Sequence, residues 1–266
     1  MTTLIAWLAV DHRGPTALYL ASDSRITWRT AAHRWEVGRK LFSCHQQPDI
    51  FGYAGDVLFP SLALGQAIEF FDNKIFKTVE PDDRHADFVG LIKSSFAHRH
   101  NAPTQDFRIV HGMRIGSGME STFRIWILSY SASINIWTDY EIIVPAEISG
   151  LLVAIGSGAS NFLAHSRWIT EKPQGGTSRA VFWAFCDALR SGSDRLSGGS
   201  PQLVGIYRKE PPRSFGIVFN GGRYFHGLPV DGDLNFECLE WRDESFQRVN
   251  GETMNLIEGG QRHGRP

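Results

Sequence analysis

The chain is poor in cysteine, in excess charge of either sign and in long apolar runs, and each scarcity excludes a class of protein. Its three cysteines, Cys44, Cys186 and Cys238, are odd in number and far apart in 266 residues. That pattern fits neither a disulfide-stapled scaffold nor a C-x-x-C metal or redox motif, and a reducing, cytoplasmic setting is expected. Lys and Arg total 27 against 28 Asp and Glu. With no basic block, nucleic acid would find no electrostatic footprint, so none is expected as a partner. Apolar runs fall far short of the ~18 residues that cross a bilayer, and no membrane partner is expected. Residues 4–10 could mimic the core of a secretion signal, but no Lys or Arg precedes them and Asp11 follows at once. Cys, His and acidic residues do not cluster at ligand spacing, so no metal is expected, and His98-Arg99-His100 reads as a solvated helix end. The Gly-Ser-Gly segments lack the Walker ending and the full G-x-G-x-x-G spacing. No cofactor is expected, and energy from ATP would have to come from a partner.

What is present describes a globular protein: 42% hydrophobic, 12% aromatic and 21% charged residues. Residues 3–10 and 17–22 read as two strands of an opening hairpin, joined through Asp-His-Arg-Gly-Pro. A strand at 50–53 follows and ends at Ala54-Gly55-Asp56. Leu64, Ala67, Ile68, Phe71 and Ile75 then recur at helical spacing, and Phe88, Leu91, Ile92 and Phe96 mark a second helix over 83–99. Residues 106–155 change to short β-branched and aromatic runs, including 123–128, 134–137 and 151–155, which predict a strand meander. Helical spacing returns at 159–170 and 178–190, and strands at 202–207, 215–219 and 224–225, the last two joined by Asn220-Gly221-Gly222. Segregated runs of strands and helices predict an α+β layered protein, with two sheets between two helical layers. A domain over 1–228 is expected, with a partly flexible extension over 229–266 whose last residues form a mobile end.

The chemistry starts at Met1-Thr2-Thr3. Removal of the initiator Met would leave Thr2 with a free α-amino group, whose pKa of about 7.7–8.0 suits it to take the proton from its own hydroxyl. Asp23-Ser24-Arg25-Ile26-Thr27 stands at the end of the second strand, where a carboxylate could sit beside the start of the first. Lys40-Leu41-Phe42 follows, then Ala54-Gly55 and a helix. Downstream, Ile155-Gly156-Ser157-Gly158 leads into a helix and Asp194-Arg195-Leu196-Ser197-Gly198-Gly199 closes the series. In this order the segments resemble those of proteasome β-subunits and the related bacterial ATP-dependent threonine protease, N-terminal nucleophile hydrolases, over about residues 2–207. Ile115-Gly116-Ser117-Gly118 repeats one tetrapeptide. Ser157 is preferred to Ser117 because it follows an apolar strand, precedes a helix and leaves room for two helices before Asp194.

The resemblance implies a four-layer αββα sandwich and a threonine-type peptidase. Thr2 would be the nucleophile, Lys40 the charge that favours its deprotonated forms, and Asp23 the partner of Lys40. Ser157, Asp194 and Ser197 would orient the amine, and the Gly55 N–H would face the oxyanion. Tyr53 would floor the pocket for the side chain before the scissile bond, with Ile26 as a wall. It further implies a peptide or unfolded-protein substrate, a homo-oligomeric ring and a separate AAA+ ATPase. A small-molecule amidase of the same superfamily and an inert ring or scaffold subunit are the alternatives.

Overall fold

The computed structural model describes residues 2–28, 32–78, 80–100, 104–145, 147–165, 175–232 and 234–259. The latter part of the helix expected to reach 170, and residues 260–266 of the end expected to be mobile from Gly259, lie outside the described residues. The first strands are β1 (Leu4–Asp11), β2 (Gly14–Ser22), β3 (Ile26–Thr27), β4 (Arg34–Trp35), β5 (Leu41–Ser43) and β6 (Asp49–Gly55). Helices α1 (Leu58–Asp72) and α2 (Pro81–Ala97) come next, followed by β7 (Phe107–Ile115), β8 (Thr122–Ser131), β9 (Ile136–Ile142) and β10 (Gly150–Ile155). Then follow α3 (Ala159–His165), α4 (Ser178–Ser191), β11 (Gln202–Tyr207), β12 (Arg213–Ser214), β13 (Gly216–Phe219), β14 (Gly222–Phe225) and β15 (Leu228–Pro229). Short strands β16 (Trp241–Asp243) and β17 (Arg248–Val249) complete this mixed α/β chain.

β1 is apolar on both faces because both are covered, the pattern of a strand inside a layered protein. Leu4, Ala6 and Leu8 meet Leu41, Ile50, Val110 and Ile125, whereas Ile5 and Trp7 turn to the other side and meet Phe162, Phe182 and Phe185. The first sheet runs β10-β1-β2-β11-β12 and the second β5-β6-β7-β8-β9. One apolar cluster lies between these two sheets. A second packs α3 and α4 on the outer face of the first sheet, and a third packs α1 and α2 on the outer face of the second. α1 contributes Phe59, Ala63, Leu64, Ala67, Ile68 and Phe71, the face expected from its spacing, although it ends before the exposed Ile75. Thr177 caps α4 by accepting the Ala180 N–H at 3.2 Å, and Gly192 ends it at φ +62°.

One expectation needs correction. The strand expected at 134–137 begins two residues late: Ile134 and Asn135 belong to the β8–β9 turn, where Asn135 takes φ +52° and Asn tolerates the left-handed region. Beyond residue 228, β16 pairs in parallel with β13 in a third sheet of order β15-β14-β13-β16-β17. Asn220 (φ +49°) and Gly221 (φ +77°) make the two-residue turn between β13 and β14.

Candidate active site

The β1–β2 register sets Leu4 opposite Ser22, so the residues just before β1 lie beside those just after β2. The Thr3 N–H donates to Asp23 Oδ1 at 2.9 Å, and the Asp23 N–H donates back to the Thr3 carbonyl at 3.2 Å. Asp23 Oδ1 also pairs with Lys40 Nζ at 2.7 Å, and both side chains are fully buried. Asp23 Oδ2 accepts the Gly198 N–H at 2.9 Å and the Arg25 N–H at 3.2 Å. Four donors thus compensate a carboxylate that burial would otherwise make costly. Burial pushes the Lys40 pKa down from its ordinary value, and the Asp23 charge works against that shift.

Thr2 is wholly buried, and among the described residues its Oγ1 has no hydrogen-bond partner, whereas most buried hydroxyls are satisfied. Its carbonyl accepts the Gly158 N–H at 3.3 Å. Gly156, at φ +96°, passes so close that a Cβ there would overlap the Thr2 carbonyl. The β10-to-α3 turn is therefore folded onto the chain's beginning, and it carries Ser157. Ser157 Oγ donates to Asp194 Oδ2 at 3.2 Å, and Asp194 Oδ1 accepts the Leu196 N–H at 3.0 Å. The Thr3 hydroxyl donates to Ser197 Oγ at 2.8 Å. A Cβ on Gly158 would overlap Thr3 Oγ1 and stand 2.7 Å from Ser197 Oγ and 2.9 Å from Asp194 Oδ2. Asp23, Lys40, Ser157, Asp194 and Ser197 thus gather around the Thr2-Thr3 segment at the start of β1. Ser117 lies elsewhere: the Gly118 N–H after it donates to the Arg208 carbonyl, and the Arg208 N–H reaches Thr16 near the far end of the hairpin.

Gly55 closes β6 at φ +106°, where a Cβ would strike the Asp106 carbonyl. It lines a cavity of about 240 Å³ with Ala54, Asp106, Phe107, Arg108 and Gly156, and Gly156 is the residue against Thr2. Tyr53 is fully buried in the cluster under α1; its hydroxyl donates to the Arg39 carbonyl at 3.1 Å and its ring lies 6.5 Å from that of Phe42. Ile26 is buried against Gly38.

Several participants escaped sequence reasoning. Thr3 contributes a hydroxyl, although its strand position alone gave no sign of that. Arg25 Nη1 donates to the carbonyls of Arg195 (2.9 Å) and Ser197 (3.0 Å), while its Nε bonds Glu36 at 2.9 Å, tying down the loop that carries Asp194 and Ser197. Gln202 accepts the Lys40 N–H at 3.1 Å and donates to the carbonyls of Gly38 and Asp23 at 2.8 and 3.2 Å. The Asp-Ser-Arg and Ser-Gly-Gly segments were available as signals, but their pairing depends on contacts some 170 residues apart.

Among the described residues no group of three or more His, Cys, Asp or Glu could hold a metal, and no helix is long and apolar enough to cross a membrane. No family model matches the sequence, and no curated protein matches it. Among solved structures, the Anbu (Gly-1) mutant from Hyphomicrobium sp. strain MC1 is similar to this chain at 13% identity and a TM-score of 0.49, over 78% of this chain and 82% of that one.

Proposed function

We propose that the chain is an N-terminal nucleophile hydrolase with a four-layer αββα sandwich, and that Thr2 hydrolyses peptide bonds once Met1 is removed. The observation that carries this reading is the buried Thr2 hydroxyl, without a hydrogen-bond partner among the described residues, set at the start of β1 where the Lys40–Asp23 pair and the Ser157–Asp194 and Thr3–Ser197 pairs gather. In the proposed reaction the Thr2 α-amine takes the hydroxyl proton while Oγ1 bonds to the substrate carbonyl carbon. The Gly55 N–H faces the resulting oxyanion. Collapse of the tetrahedral adduct breaks the C–N bond, passes the proton to the leaving amine and leaves an ester on Thr2. Water activated by the same amine then releases the acid. Lys40 favours the deprotonated amine and hydroxyl, and Asp23 holds Lys40 in place.

Tyr53 and Ile26 form the pocket for the side chain before the scissile bond in this reading, and small or medium apolar groups are preferred over Arg, Lys or Glu. A homo-oligomeric ring served by a separate AAA+ ATPase belongs to the same proposal. The test is turnover of peptide libraries by purified parent and Thr2→Ala proteins of matched native mass. A loss of a thousandfold or more is expected on removing a nucleophile; unchanged turnover would overturn the assignment. A cleavage pattern that moves toward larger side chains in Tyr53→Ala supports the pocket, and an identical pattern contradicts it.

A further inference from the structure

The cavity beside Gly55 carries a charge that the proposed reaction does not use. Arg108 lines it from β7, directly opposite Ala54 of β6 in the strand register. Ala54 belongs to the apolar cluster between the two sheets, whereas the neighbouring Tyr53 belongs to the cluster under α1. Successive residues of a strand face opposite sides, so Ala54 and Arg108 share the side of β6 opposite to Tyr53. Gly156, from the other sheet, forms the facing wall and abuts the Thr2 backbone. The cavity therefore lies one residue's thickness from the Thr2 backbone, across Gly156, and on the far side of β6 from the pocket assigned to the acyl side chain.

Arg108 is exposed, and among the described residues its guanidinium makes no ion pair or hydrogen bond. The other charge on the cavity is Asp106, whose Oδ1 is occupied by the Ala132 N–H at 2.8 Å and whose backbone carbonyl accepts the Asp56 N–H at 2.9 Å. No ion pair joins Asp106 to Arg108 among the described residues. A guanidinium with its donors free, on a wall whose other residues are Ala54, Gly55, Phe107, Gly156 and the already engaged Asp106, matches a carboxylate, which it can hold by two parallel hydrogen bonds.

We propose that this cavity receives the leaving-group side of the substrate and that Arg108 selects an acidic group there, an Asp or Glu side chain directly after the scissile bond or the free carboxylate of a short product. The proposal rests on the reading of Thr2 as nucleophile, and it adds a specificity determinant on the side of the amine that departs.

The test separates binding from turnover. Three labelled hexapeptides, Ala-Ala-Leu-Xaa-Ala-Ala with Xaa as Glu, Ala or Lys, are titrated at low salt into the full-length Thr2→Ala protein, which retains the cavity but not the nucleophile. The same peptides are offered to the parent for cleavage. Binding of the Glu peptide is expected to exceed that of the Ala peptide by about 1.5- to fivefold, the usual range for a solvent-exposed ion pair. The preference is expected to survive in Arg108→Lys, vanish in Arg108→Ala and invert toward the Lys peptide in Arg108→Glu, each built on the Thr2→Ala background. Equal binding of all three peptides, no binding of any at millimolar concentration, or a preference unchanged in Arg108→Glu would overturn the proposal. Acid-selective binding that depends on Arg108, with no cleavage by the parent, would uphold the anion-selective cavity and overturn only the nucleophile.

Discussion

Lys40 shows how much one residue's meaning depends on its surroundings. On an exposed strand edge its removal would cost less than about 0.5 kcal/mol. Here it is wholly buried and paired at 2.7 Å with an equally buried Asp23. Lys40→Met keeps the volume but leaves the Asp23 carboxylate without its cation. Three backbone N–H donors remain to that carboxylate, so the loss is expected near the lower end of the range for breaking a buried pair, about 3 kcal/mol, with turnover abolished. Urea unfolding and peptide turnover measured on the same preparation check both parts, and wild-type values in either would contradict the role given to the pair. Gly158 makes a steric prediction of the same kind. Because a Cβ there would overlap the Thr3 hydroxyl and crowd Ser197 and Asp194, Gly158→Ala is expected to cost about 1–3 kcal/mol and to lower the turnover rate, read from urea unfolding and steady-state kinetics.

At the scale of elements, α2 is held to the second sheet by a chain of polar groups, of which His85, His111 and Asp49 are buried. His85 of α2 bonds His111 of β7 at 2.9 Å and Asp139 of β9 at 3.1 Å, and His111 bonds Asp49 of β6 at 3.0 Å. Arg84 closes the chain by pairing with Asp49. Burial, then the neighbouring His111, pushes the His85 pKa down to about 4, with Asp139 opposing. In the unfolded chain a histidine titrates near 6.5, so between about pH 6.5 and 4 the unfolded state binds more protons. Stability is therefore full above about pH 6.5 and declines as pH falls toward 4. Burial also lowers the pKa of His111, and it takes His226 to about 3, so both add to the same slope. Unfolding free energies at pH 7, 6 and 5 are expected to fall in that order, and His85→Gln is expected to flatten the fall. A stability that rises on acidification over this range would contradict the account.

The same elements show what a sequence makes legible. The α1 and α2 apolar faces and the opening hairpin follow from periodicity and turn residues, which are local properties. The His85–His111 contact and the order β10-β1-β2-β11 are not local, since each joins residues separated by a long loop or a whole layer. The candidate site was partly legible as a grouping because Thr2, Asp23, Lys40, Ser157, Asp194 and Ser197 lie in short motifs with punctuating glycines. Thr3, Arg25 and Gln202 were not, because an ordinary strand or turn residue becomes a site residue only through what folds against it.

At the scale of the whole molecule, the segment after residue 228 is part of the packing. Trp241 is buried, with Gly216 and Gly251 so close that a Cβ on either would meet its indole ring. Phe246 stacks edge-on against Trp7 and Tyr19, with ring centroids 5.8 and 5.2 Å away, and so covers the outer face of the first sheet. Trp241→Ala is expected to destabilise by about 3–5 kcal/mol, measured by chemical unfolding, as for other buried aromatics. A change within about 0.5 kcal/mol would show that residues 229–259 fold independently of the rest. The most direct measurement of the central claim is the intact mass of the purified chain before and after treatment with a peptide epoxyketone, with the adduct mapped by fragmentation. The account predicts a chain lacking Met1 that gains one adduct, on Thr2. A chain that cleaves peptides with Met1 still attached, or an adduct mapped to another residue, would contradict it.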